Sequence, residues 1–177
     1  MRYSQNQTTA TRLAALALGL ALATTATAQR LPKPEDVVQV RVEPARVEAR
    51  AGGQATFTLV ATIREGFHVN SHQPLQEYLI PTRVELLTTE LFALEKVDYP
   101  KGELKSFGFS PDEKLSVYDG TLRLPIALRV KDGARNPAAG GAGDTHTVRV
   151  AFHYQACNDE ICLRPTKREA QLTVRLR

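Results

Sequence analysis

Two cysteines, Cys157 and Cys162, stand in the stretch YQACNDEIC with four residues between them, and the chain has no others. Residues of this type at this spacing support three chemistries: a bond that closes a hairpin, part of a metal site, or a disulfide exchanged with another protein. In exchange, a thiolate attacks one sulfur in line and the other leaves, so the second cysteine must stay near enough to resolve the mixed disulfide, as a short hairpin loop allows. By loop entropy, closing so short a loop contributes only on the order of 2 kcal/mol, which makes stapling a weak use of the pair. Asp159 and Glu160, between the cysteines, put negative charge where a thiolate would form and are expected to raise thiol pKa values.

Other residues with chemical potential fit less well. His153 lies four positions before Cys157, roughly 13 Å along a strand, and reads as a solvated strand histidine rather than a base. His68 and His72 in HVNSH could join His153 or the cysteines around copper or zinc. Two cysteines at this spacing fall short of a four-ligand zinc pattern, so no metal and no cofactor are assigned. The sequence presents no serine, histidine and acid arrangement and no glycine-rich phosphate loop.

Whether a disulfide persists depends on compartment. An Arg-containing start, MRYSQNQTTATR, precedes the apolar run LAALALGLALA and then TTATAQR, where Ala26 and Ala28 form the small-x-small pattern of a secretory signal. Residues 1–28 are therefore read as a signal peptide, and residues 29–177 as one exported domain, periplasmic or otherwise secreted. The apolar run is about half the roughly 20 residues that span a bilayer, and no later run is longer, so a soluble chain without a transmembrane segment is expected after cleavage. An oxidising compartment favours a bond between the two cysteines over free thiols. Losing Arg2 and Arg12 takes the formal charge from +4 to +2, too weak and scattered to indicate nucleic acid.

The elements that must hold the pair read as strands. Apolar residues alternate with polar ones at Val38, Val40 and Val42, at Phe57, Leu59, Ala61 and Ile63, and at Leu122, Leu124, Ile126, Leu128 and Val130. Turn signals at EPAR, AGGQ, REG and YDG separate them, and no amphipathic helix is predicted. The pattern is that of an all-β, immunoglobulin-like antiparallel sandwich of seven to nine strands. Residues 131–145 read as a Gly-, Ala- and Pro-rich connection, and 99–120 as a long loop whose Phe107 and Phe109 must tuck into the core or cover something. Before Cys157, Val148, Val150, Phe152 and Tyr154 share one face; after Cys162, Leu172, Val174 and Leu176 do. Pairing Cys157 with Cys162 makes opposed positions sum to 319, which sets buried positions against polar ones. A bulge near Pro165 is therefore required to shift the register by one.

YQACNDEICLRPTK, with GFHVNSHQP at 66–74 and KLSVYDGTLRLPI at 114–126, resembles the N-terminal periplasmic domain of DsbD-type thiol:disulfide interchange proteins, in order and over most of the chain beyond the signal. The resemblance implies an immunoglobulin-like sandwich whose cysteine pair cycles between dithiol and disulfide. It implies a thioredoxin-like or membrane thiol reductase as electron donor, expected to be another polypeptide, and exported thiol or disulfide proteins as acceptors. It also implies that Cys162 bonds to partners while Cys157 resolves, and that Phe107 or Phe109 caps the pair. Tyr154 reads as both a core residue and part of the site's wall. The family's acidic pair precedes its capping aromatic, whereas here Asp112 and Glu113 follow the phenylalanines, and their carboxylates, if near the pair, are likewise expected to raise the thiol pKa values. A different class fits the same residues without the resemblance: a binding or assembly module with an inert structural disulfide.

Overall fold

The computed structural model describes residues 31–108, 110–134 and 144–177. Residues 1–28, read above as a signal peptide, Phe109 and most of the 131–145 connection therefore lie outside the described residues. A single turn of helix, α1 (Pro34–Val37), leads into β1 (Val38–Glu43), β2 (Arg46–Ala49), β3 (Gln54–Ile63), β4 (His68–Asn70), β5 (Arg83–Leu86) and β6 (Phe92–Val97). Then follow β7 (Glu103–Phe107), β8 (Ser110–Tyr118), β9 (Thr121–Val130), β10 (Asp144–Tyr154), β11 (Ala156–Cys157) and β12 (Thr166–Leu176).

Among the described residues three four-stranded sheets result, ordered β1-β3-β9-β6, β2-β12-β10-β5 and β11-β4-β8-β7. The first two form the sandwich. Alternation along β3 and β9 turns Phe57, Leu59, Leu124 and Leu128 inward, and alternation along β10 and β12 does the same for Val148, Val150, Phe152, Leu172 and Val174; all are buried in one apolar cluster. Removing these side chains from water is the main driving force for closing the two layers. Among the described residues all pairings are antiparallel except that of β2 with β12, which follows the cis Glu43–Pro44 turn from sheet one to sheet two.

The fold class is as expected; the strand count is not. Among the described residues there are twelve strands rather than seven to nine. The surplus is largely the third sheet. Residues 99–120, expected to be a loop, contain the β7–β8 hairpin, with Lys105 opposite Leu115 and Phe107 opposite Ser110. Its strands were hidden because β7 is a mostly exposed edge with no apolar alternation.

The required register shift is present. Every pair from Asp144↔Leu176 to Tyr154↔Thr166 sums to 320, whereas Cys157 lies opposite Cys162. Leu163 N–H donates to Ala156 O at 2.8 Å, already in the shifted register. Gln155 alone therefore faces Arg164 and Pro165, a one-residue bulge that Gln155 Nε2 spans by donating to Leu163 O at 3.2 Å. The bulge lets both strands bury their apolar faces and still bring the two cysteines face to face.

Candidate functional site

The pair sits at one edge of the third sheet. Cys157 and Cys162 are joined by a disulfide with their Cα atoms 4.0 Å apart. Cys157 is buried, at 1% exposure, and Cys162 is exposed. The loop between them is tighter than four free residues: Asn158 N–H donates to Ile161 O at 2.9 Å. Asn158 Oδ1 in turn accepts from the backbone N–H of Ile161 at 2.8 Å and of Glu160 at 3.0 Å. Such an asparagine turn fixes the approach of one strand to the next. Sequence reasoning overlooked Asn158, whose signal was its place directly after the first cysteine in a turn.

Across the sheet from the pair, Cys157 opposes His68 on β4, and the next residue on that strand, Val69, opposes Tyr118 on β8. Gly66, at φ +79°, makes the turn that delivers β4 to this place. His68 is 3% exposed, and Phe107, at the end of β7, stacks on its ring with centroids 4.0 Å apart and planes 20° from parallel. A Cβ added to the neighbouring Gly108 would lie 3.7 Å from Asp159 O, so the hairpin tip also abuts the cysteine loop. One row therefore contains Cys162, Cys157 and His68, with Phe107 against its inner end.

Burial pushes the His68 imidazole down to about 4 from its ordinary 6.5; Asp159 and Asp119 pull it up, and Lys105 adds to the depression. Of the acids expected near the thiols, Asp159 is thus close enough to act on the site's histidine. Glu160 is exposed at the loop tip, while Asp112 and Glu113 are exposed on β8. Glu113 accepts from the Tyr78 hydroxyl at 3.4 Å. Tyr154 is a core residue at the end of β10, its hydroxyl donating to Pro34 O at 2.8 Å, and burial raises its pKa to about 12.

Two other histidines are committed elsewhere. His153 Nε2 lies 2.6 Å from Glu85 Oε2 and is less solvated than expected. His72 Nδ1 donates to Thr82 O at 2.9 Å while the ring stacks on Tyr99 at 3.7 Å. Among the described residues no three His, Cys, Asp or Glu side chains are grouped to hold a metal. A cleft of about 790 Å³ lined by residues including His72, Tyr99, Gly102, Leu104 and Tyr118 has neither cysteine in its wall. Thiol exchange needs only access to a sulfur, so the exposed edge at Cys162 marks the chemistry better than the roomy cleft does.

The sandwich carries a buried and an exposed cysteine bonded in one hairpin, an arrangement that fits a thiol–disulfide domain. The family model described as thiol:disulfide interchange protein DsbD, N-terminal, matches residues 30–174, and the chain belongs to that family. Among solved structures, the N-terminal periplasmic domain of ScsB from Proteus mirabilis is similar at 15% identity and a TM-score of 0.53, over 80% of this chain and 49% of that one. At that identity the likeness concerns the fold, and the chain spans about half the length of the ScsB structure. A family 123 glycoside hydrolase from Clostridium perfringens aligns at 10% identity and a TM-score of 0.34, over 78% of this chain and 27% of that one, too distant to bear on function. No curated protein matches the chain. Among the described residues no helix is long and apolar enough to cross a membrane.

Proposed function

We propose that this domain relays electron pairs in the periplasm through a reversible Cys157–Cys162 disulfide. The observation that carries the reading is the asymmetry of the pair: an exposed Cys162 bonded to a buried Cys157. A donor thiolate attacks the Cys162 Sγ, the S–S bond breaks, and the Cys157 sulfur leaves with the bonding electrons and takes up a proton. The donor's second thiolate then attacks its own sulfur in the mixed disulfide and releases Cys162, so the donor is oxidised as the domain becomes a dithiol. In the next half-cycle Cys162 attacks an acceptor disulfide and Cys157 resolves the adduct. A thioredoxin-like or membrane-bound thiol reductase suits the donor role, and exported disulfide proteins suit the acceptor role. Family membership supports the interchange chemistry over an inert binding module.

Single cysteine variants test the assignment. Cys157→Ala leaves the accessible sulfur without a resolving partner and is expected to accumulate reductant-sensitive adducts with a selective set of proteins. Cys162→Ala leaves only the buried thiol and is expected to accumulate fewer. Periplasmic extracts run with and without reductant, with adducts identified by mass, distinguish these outcomes. The same faint, unselective set from both variants would sink the relay.

A further inference from the structure

His68 contributes more to the site than a surface for stacking. Its Nε2 is buried and has no hydrogen-bond partner among the described residues, although leaving a buried polar atom unpaired is costly. Directly opposed residues on antiparallel strands share a face, with Cβ atoms about 4.5–5.5 Å apart. The Cα partner of His68 is Cys157. In the oxidised domain that sulfur is bonded to Cys162 and carries no proton to share. When the disulfide opens, Cys157 becomes first a thiolate, which accepts a hydrogen bond, and then a thiol, which donates one. A neutral imidazole nitrogen answers either state, by donating in one tautomer or accepting in the other.

We infer that His68 is the hydrogen-bond partner of the Cys157 sulfur in the reduced domain, a positioning residue that stabilises the dithiol while its ring seats Phe107. The inference rests on the relay reading for its purpose but not for its chemistry, which belongs to the isolated domain. Reduction by dithiothreitol balances without any protein partner. One of its thiolates attacks Cys162 Sγ, Cys157 leaves with the electron pair and is protonated beside His68, and the second dithiothreitol thiolate closes its own disulfide and frees Cys162. The charged groups acting on His68 are Asp159 from the cysteine loop, Asp119 after β8 and Lys105 on β7. Lys105 is ion-paired with Asp119, so those two charges offset each other and Asp159 is left to disfavour a bare thiolate, which a neutral hydrogen-bond partner does not.

His68→Phe keeps an aromatic plane beneath Phe107 and removes the nitrogen. In dithiothreitol redox buffers at neutral pH, the variant is expected to show about a tenfold smaller equilibrium constant for reduction, which corresponds to a potential about 30 mV more negative. An unchanged constant in a folded variant overturns the inference. The wild-type protein supplies a second measurement should the variant fail to fold: the ¹⁵N shift of His68 Nε2 should move between the oxidised and reduced domain, and a fixed shift also overturns it. Trapping by Cys157→Ala reports on the relay separately, because that variant lacks the sulfur His68 addresses. Absent adducts with a moved potential would refute the relay and leave His68 in its role.

Discussion

Cys157 and His68 face each other across a two-residue ladder. His68 is neutral in the folded protein down to about pH 4 because it is buried, while an unfolded histidine binds its proton near 6.5. Between those values the unfolded chain holds the extra proton, so this residue's contribution to stability is complete above about pH 6.5 and is lost as pH falls toward 4. Denaturant titrations across that window should show a pH slope that His68→Phe reduces; equal slopes would mean the imidazole is not protected. Phe107 offers a second reading of the same contact. Its stack on His68 is worth about 1 kcal/mol, so Phe107→Ala is expected to cost that much stability and to speed reduction by a small thiol several-fold. Reduction at the wild-type rate would show that Phe107 is packing and not a cover. The cysteines were legible from type and spacing. His68 was not, because HVNSH suggests a metal when read locally, and only the pairing of β4 with β11 sets this residue opposite a cysteine.

The long strands of the sandwich were legible because each has one wet and one dry face, as the alternation from Thr121 to Val130 shows. The third sheet was not. β4 and β11 are three and two residues long and buried throughout, so they carry no period to read. The bulge at Arg164 and Pro165 was accessible by arithmetic alone, since two buried faces and a cross-strand cysteine pair cannot share one register. Besides its ladder pairings, the third sheet depends on a close approach at one glycine. Gly102 precedes β7 where a Cβ would collide with Ser116 Oγ on β8 and lie 2.7 Å from Ser71 Cβ, just after β4. Gly102→Ala should therefore destabilise the domain by about 1–3 kcal/mol, as overpacking does. Urea unfolding measures this directly, and a loss within error would mean the β7–β8 hairpin is free to move away from β4.

Taken whole, the molecule separates support from chemistry. The two large sheets hold nearly all the apolar cluster, while the disulfide closes a loop of only a few residues and contributes on the order of 2 kcal/mol. A domain of this size with a continuous core can stay folded when that bond opens, which a carrier of electrons requires and a stapled module does not. The potential of the Cys157–Cys162 pair, measured in glutathione redox buffers on the intact domain by mass after thiol alkylation, addresses the relay most directly. A value above about −300 mV, with the core still folded in the reduced form, is expected of a disulfide that exchanges with periplasmic partners. A value well below about −300 mV would place the bond with inert structural disulfides and make the domain a binding module instead.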